Sequence, residues 1–508
     1  MLLYRYMELD KKIKDKFDKT LKEQGIFDLT GKLQKKFNKA EFYLVGGSVR
    51  DIIIGRQIKD IDLLIRKVKV KDLECELKKT GKVNLVGERF SVLKFGLTPP
   101  NPPLVRGGNK AEIDIAIPRK DFAFGTGRYK DFRIKSDPNL PVKDDLSRRD
   151  FTVNSMAWNI MDKKLEDPFG GFDDLKKKII RAVGDPKERF REDYSRMLRA
   201  IRFAMQLGFT IDKKTWEAVK QNIGHINDKV KEERKVSYEV IAGEFLKSFN
   251  AKPVETIKMY MECGALKLLM PEVLEMKKCS QPKDYHSEGD VLTHTFLALN
   301  NLDSKLFKSY FKEPPQLTTK VAILFHDVAK PSTKKKVGKK TVFYNHDKKG
   351  AEIAKKIIDR LKLTSPPDVG IDGEEVVWLI KNHLLFMHSA PEKMKKTTIE
   401  RYLFNDRFSG IAHMQLFLAD ASATRPAGKP ADLTRFKKAM KIIKEMKPEK
   451  APQLPKSFLD GNEIMKMVNL KPGPKVGEIL EALREEQLSG RIKNITEAKK
   501  FVKKYPVK

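Results

Sequence analysis

Cysteine is nearly absent from this chain: Cys75, Cys263 and Cys279 are the only three in 508 residues, widely spaced and in no Cys-x-x-Cys pair. That spacing excludes a zinc ribbon or a disulfide framework, and the odd thiol suits a reducing compartment. No apolar run approaches the ~18 to 20 residues that a membrane span requires. The start, Met1-Leu2-Leu3-Tyr4-Arg5, becomes charged too soon for a signal peptide, so a cytoplasmic location is expected. No solenoid-like repeat is present. Acidic residues are also in deficit, 69 Asp and Glu against 103 Lys and Arg, and the resulting +34 charge points to a polyanionic partner. A membrane surface or a generally lysine-rich genome would produce a similar excess.

The length suits roughly three to four domains. Residues 1–38 read as a basic helical extension. From 41 to 117, apolar strand-like runs (Phe42 to Val45, Ile61 to Ile65, Val92 to Phe95, Ile113 to Ile117) alternate with helical stretches, the pattern of a mixed-sheet unit. A polar segment with Gly125, Gly127, Pro138 and Pro141 then reads as a mobile loop. Beyond 180 the periodicity is helical, broken at Pro314-Pro315 and again at a proline- and lysine-rich linker, Lys447 to Pro455. The expected order is an N-terminal extension (1–38), a catalytic head (39–180), a helical neck and body (181–280), a further helical domain (281–446) and a C-terminal helical tail (447–508).

Within the head, Gly46-Gly47-Ser48-Val49-Arg50-Asp51 is followed by Asp60-Ile61-Asp62. Gly46 and Gly47 allow backbone amides to approach phosphate at a helix start, with Arg50 in the first turn. On a strand, Asp60 and Asp62 share a face and would hold Mg²⁺ for phosphoryl transfer, with Asp114 on a neighbouring strand as a third carboxylate. Arg148-Arg149-Asp150-Phe151-Thr152-Val153-Asn154 groups guanidinium, carboxylate and amide side chains suited to phosphate and ribose. A single helix is expected from Asp185 (N-cap, with Pro186 first and Glu188 completing a capping box) to Gly208. Asp193, Arg196 and Arg199 would share one of its faces. A surface ion-pair network would use the same residues. A carboxylate beside a guanidinium, however, complements the amino donor and ring-nitrogen acceptor that cytosine and adenine share, and mismatches uracil and guanine.

Together these motifs resemble bacterial class II tRNA nucleotidyltransferases, the CCA-adding enzymes, and the related bacterial poly(A) polymerases, over roughly residues 40–250. Glu192-Asp193-x-x-Arg196 followed by Leu198-Arg199-Ala200-x-Arg202-Phe203 adds to the likeness. The resemblance implies an α+β fold: a DNA polymerase beta-like nucleotidyltransferase head with a small mixed sheet, then an all-helical neck, body, HD domain and tail. It implies C and A addition to the tRNA 3′ end from CTP and ATP, without a nucleic-acid template. By position, Asp60 and Asp62 would bind Mg²⁺, Gly47 and Arg50 the nucleotide phosphates, and Arg149, Asp150 and Asn154 the sugar and triphosphate. Asp193 and Arg196 would pair with the base, and Arg199 would support the nucleotide. The loop after Arg119 would match the family's flexible loop, but Arg119-Lys120-Asp121 stands where an Arg-x-Glu element is expected, which leaves the final A addition least secure. Poly(A) synthesis and CC-only or A-only addition are the alternatives within this reading.

Histidine is scarce, eight in all, yet five lie between His286 and His383. His294, His326-Asp327 and Asp420 have the order of an HD-type phosphohydrolase, and His346 and His383 would extend the set to a second metal. Imidazole and carboxylate suit Mn²⁺, Ni²⁺, Fe²⁺ or Mg²⁺. From this region comes a reading of another class, an HD phosphohydrolase whose head only binds RNA. The segment Leu459 to Gly477 resembles the tail of HD-containing members.

Overall fold

Alternating apolar residues pair where the sequence predicts strands. In the computed structural model, β1 (Tyr6–Met7), β2 (Glu41–Val45), β3 (Ile61–Arg66), β4 (Gly81–Val86), β5 (Val92–Leu97) and β6 (Glu112–Ala116) join β9 (Ala157–Asn159) and β10 (Lys164–Glu166) in one sheet. Its order is β1-β10-β9-β2-β3-β6-β5-β4. It is mixed, because β3 and β6 run parallel while β2 pairs antiparallel with both β3 and β9. The structure describes residues 6–7, 9–58, 60–86, 92–97, 112–128, 131–388, 390–394, 396–404, 407–445, 457–488 and 490–505. The expected linker at Lys447 to Pro455 lies outside these. The fold is α+β, with the mixed sheet in the head and helices thereafter.

The first 38 residues pack onto the head. Helices Lys11–Glu23 and Ile26–Lys36 bury Phe17, Leu21, Ile26, Leu29 and Leu33, and Phe17 stacks on Trp158 of β9 with centroids 4.3 Å apart. The segment read as a mobile loop contains a hairpin of β7 (Arg119–Ala123) and β8 (Phe132–Ser136), with Gly125 and Gly127 at positive φ beyond β7. Its strands carry few apolar residues, so the sequence pattern for a strand is faint there.

The described chain forms two units, Met1–Leu269 with Leu361–Gly370, and Met270–Arg360 with Ile371–Lys508. At the centre of the second unit is the helix Gly410–Ala423, buried at nearly every position and flanked by Val291–Asn301 and Leu317–Phe325. A helix apolar all round belongs inside a helical layer, and this one carries Asp420. Three short helices close the chain, Gly461–Val468, Pro474–Leu488 and Ile495–Lys504, around Ile464, Ile479, Leu483 and Val502. Asp460 and Glu463 form a reciprocal capping box at the first of these. No described helix is long and apolar enough to cross a membrane.

Candidate functional site

Gly46 turns the chain out of β2 at φ 72°, ψ −134°, a conformation favouring glycine, and an added Cβ would lie 2.5 Å from an Arg149 guanidinium nitrogen. The helix Gly47–Ile54 starts at once. Ser48, which the motif reading passed over, ties that helix to the carboxylates. Its hydroxyl donates to the Asp60 carbonyl at 3.0 Å and accepts from the Asp62 N–H at 3.2 Å. Asp62 stands directly opposite Asp114 across the parallel β3–β6 pair, and Asp60 sits exposed at the bend before β3. Burial raises the Asp62 pKa above the usual carboxylate range; Arg149 opposes the shift, while Asp114 and Asp60 reinforce it. Carboxylates that repel one another while converging on one place form a donor set for a divalent cation.

Gly47, Arg50, Asp62, Arg149, Asp150, Asn154, Asp193, Arg196 and Arg199 all line one cavity of about 500 Å³, with Arg119, Asp121, Arg148 and Phe203. Gly46 is not in that lining. Asp60 joins Asp62 in an adjoining cavity of about 590 Å³ that also holds Arg56, Arg202 and Lys247. Asp114 joins Asp62, Arg148 and Arg149 in a third, of about 230 Å³.

A continuous polar network fixes these cations. Arg50 donates to both oxygens of Asp51, at 2.9 and 2.8 Å, and to Asn154 Oδ1 at 2.5 Å. Asn154 donates to Asp150 at 3.0 Å, and Arg199 closes on the other Asp150 oxygen at 2.7 Å. Phe203 lies under three guanidinium groups, those of Arg50, Arg199 and Arg202, at 5.3, 5.4 and 4.0 Å. The fully buried Asp145 accepts from Arg148 at 2.9 Å and Arg149 at 3.3 Å, yet Arg149 Nε is buried without a hydrogen-bond partner, a donor left for a ligand. Such a basic, hydrogen-bonding wall suits a triphosphate.

Burial alone would raise the Asp150 pKa, but the Arg199 charge and the bonds from Asn154 and Arg199 outweigh it and lower it to about 2. A depressed carboxylate stabilises the fold above its unfolded pKa of ~3.9 and loses that contribution as pH falls through the folded value. Asp150→Asn is therefore expected to destabilise by about 2 kcal/mol at pH 5–7, with the difference closing between about pH 4 and 2. Urea unfolding of both proteins across that range checks it.

The expected single helix from 185 to 208 is two. Pro186–Glu192 ends at Asp193, whose backbone is extended (φ −155°, ψ 104°), and Ser195–Leu207 ends at Gly208 in the left-handed region. Asp193 therefore shares no helical face with Arg196 and Arg199. Its carboxylate accepts from the Ser195 N–H at 2.9 Å and hydroxyl at 2.6 Å, capping the second helix. Asp185 does cap the first helix, but Glu188 pairs with Arg191 and completes no capping box. Arg196, largely buried, donates to Glu192 and to the Arg189 carbonyl, and it still reaches the cavity.

In the second unit the histidines converge. His294 Nε2 and Asp420 lie 2.9 Å apart; His326 Nε2 is 3.3 Å from Asp327 and 3.8 Å from Asp420; His346 and His383 stand 3.4 and 4.0 Å from the other Asp327 oxygen. The sets His294–His326–Asp327 and Asp327–His346–His383 each keep their donor atoms within 4.8 Å of one another. His326 Nε2 is buried without a well-formed hydrogen bond. Burial, aided by His326 and His346, pushes His383 down to about 3, leaving a neutral ring able to ligate. An orphaned ring nitrogen among buried imidazoles and carboxylates fits a transition metal. Two partners escaped the sequence reading because they act at one remove. Glu288 accepts from or faces both His286 and His294, at 2.7 and 2.9 Å, and so orients His294. Lys330 lies 2.7 Å from Asp327 and 2.8 Å from Gln281.

Comparison with known proteins matches this layout. Residues 42–181 match the poly A polymerase head domain, 208–277 a probable RNA- and SrmB-binding site of polymerase A, and 293–407 the HD domain. An A-adding tRNA nucleotidyltransferase of Deinococcus radiodurans is 32% identical over 374 residues, covering 72% of this chain and 80% of that protein. A multifunctional CCA protein of Pseudomonas fluorescens is 30% identical, covering 71% and 78%. The fold is that of the Bacillus stearothermophilus CCA-adding enzyme solved with CTP, at TM-score 0.60 and 20% identity over 94% of this chain and 96% of that one. It is shared with the Thermotoga maritima CCA-adding enzyme solved with tRNA, at TM-score 0.53 and 22% identity over 99% of each chain. With a nucleotidyltransferase head and an HD domain, both of kinds that depend on divalent metals, the chain belongs to the tRNA nucleotidyltransferase family whose members carry a poly(A) polymerase-type head.

Proposed function

We propose that this protein adds C and A to the 3′ end of tRNA from CTP and ATP without a nucleic-acid template. The observation that carries the reading is the cavity of about 500 Å³, where Asp62 stands opposite a wall bearing Asp193, Arg196 and Arg199. Arg50, Arg149, Asp150 and Asn154 bind the triphosphate and sugar. Arg196 and Asp193 offer donor and acceptor to the base edge that C and A share. Asp60 and Asp62, with Asp114, would hold Mg²⁺, which lowers the charge barrier to attack of the RNA hydroxyl on the α-phosphate. Residues 39–180 form the head, 181–280 the neck and body, 281–446 the HD domain and 447–508 the tail. In the HD domain, His294, His326, Asp327 and Asp420, with His346 and His383, would hold Mn²⁺, Ni²⁺ or Fe²⁺ for phosphate-ester hydrolysis.

The D. radiodurans relative, named for A addition, and Asp121 in place of an expected glutamate favour a second reading, an enzyme that adds only the terminal A. One assay separates them. On tRNA lacking all three 3′ residues, CTP alone is expected to add two residues, ATP alone none, and both together three. Addition of A solely to tRNA already ending in CC would establish the second reading. Long A tracts would overturn both in favour of poly(A) synthesis.

A further inference from the structure

The β7–β8 hairpin has two faces, because side chains alternate along each strand. One face, with Arg119, Asp121, Phe132 and Ile134, lines the nucleotide cavity. The other carries Phe122 and Phe124 with the cations Lys120, Arg133 and Lys135, all exposed. Phe122 is 48% and Phe124 67% open to solvent, unusual for two rings so close in sequence. Phe122 pairs with Arg133 across the ladder and Lys120 with Lys135, and the Phe124 N–H continues the ladder to Asp131. Lys120 is engaged by Asp144 at 2.9 Å, but Arg133 and Lys135 have no ion-pair partner among the described residues. Asp131, beside this face, accepts from Thr126 at 2.8 Å.

The face is also preformed. Gly127, at φ 77°, lies so close to the Tyr194 ring that an added Cβ would fall 2.2 Å from it. The Tyr194 N–H donates to the Gly127 carbonyl at 3.2 Å, and Arg128 bonds Glu233. The hairpin tip is therefore tied to the residue following Asp193. Two rings at positions i and i+2, about 7 Å apart along the strand, with unneutralised cations on the paired strand, make a surface on which bases stack while phosphates meet positive charge.

We propose that this outer hairpin face is a stacking platform for single-stranded RNA, the unpaired 3′ segment of the molecule being extended, with Phe122 and Phe124 against bases and Arg133 and Lys135 against phosphates. The proposal rests on the RNA-extending reading above. Its test separates the two, because binding is measured in an Asp62→Ala background that transfers nothing. There, Phe122→Ala with Phe124→Ala is expected to weaken binding of a labelled single-stranded RNA, read by fluorescence anisotropy, by about tenfold or more, while Phe→Trp at both positions retains it. In the otherwise unchanged enzyme the alanine pair should raise KM for RNA and leave kcat and KM for nucleotide alone. RNA affinity within twofold of the parent would overturn the assignment. So would a change confined to nucleotide KM, which would make the hairpin only a cavity wall, or a loss of self-association by sedimentation with RNA binding kept, which would make the face a protein contact.

Discussion

Asp62→Ala is expected to lower nucleotide incorporation on the order of 10³-fold while leaving the melting temperature in metal-free buffer unchanged or slightly higher. The combination is unusual, since most substitutions at partly buried charges destabilise. It follows from the position of the carboxylate. Asp62 is set opposite Asp114 by the β3–β6 register and lies near Asp60, and burial together with these two negative neighbours raises its pKa. Without a cation the cluster repels itself, so removing one member relieves strain in the same step that removes the metal site. Added Mg²⁺ should raise the melting temperature of the parent protein and have a smaller effect on the variant. Retained incorporation, or a variant that still gains full stability from Mg²⁺, would overturn the assignment of Asp62 as a metal ligand.

How far the site could be read from sequence depended on whether a residue's role was local. The strand alternation around Asp62 and Asp114 was legible because each strand buries isoleucine or leucine on one face, and the pairing Asp62↔Asp114 follows once the strands are adjacent. Gly46 was legible because its conformation excludes other residues. The helix break at Asp193 was not. An N-cap at Asp185, a proline after it and a glycine at 208 all fit one continuous helix, and the second cap appears only when Asp193 turns back onto Ser195. That break gives the Asp193 backbone an extended conformation at the cavity wall, so the mistaken element still delivered the right residue. The hairpin read as a loop was hidden by polar strands, whose partners lie in the cavity and not in a core. Ser48, Glu288 and Lys330 were missed for another reason: each supports a neighbour found only after folding, and no spacing in the chain marks it.

Asp327→Ala is expected to produce the converse phenotype: transition metal bound per protein, measured by mass spectrometry after dialysis, falls to near zero, any metal-dependent hydrolysis of a phosphodiester drops by at least about 10²-fold, and nucleotide incorporation persists. Asp327 is the hub of the cluster. One oxygen lies 3.3 Å from His326 Nε2 and the other 3.4 Å from His346, so its loss breaks both candidate ligand sets at once. Its removal also strands Lys330, buried and 2.7 Å from Asp327, and an uncompensated buried charge costs about 3–5 kcal/mol. Lost metal in this variant alone could therefore follow from local unfolding. Asp420→Asn decides between the causes, since it keeps the side-chain volume, leaves Lys330 paired with Asp327 and removes only the carboxylate 2.9 Å from His294. Metal loss in both variants, with circular dichroism unchanged in the second, places the ion among these residues. Full metal content in Asp420→Asn would remove Asp420 from the ligand set, and metal retained in Asp327→Ala would overturn the centre as drawn. Because Asp62 and Asp327 belong to different units of the chain, the two variants should each abolish one activity and spare the other. Loss of both activities from either substitution would instead mean that the head and the HD domain depend on one shared metal or one cooperative fold.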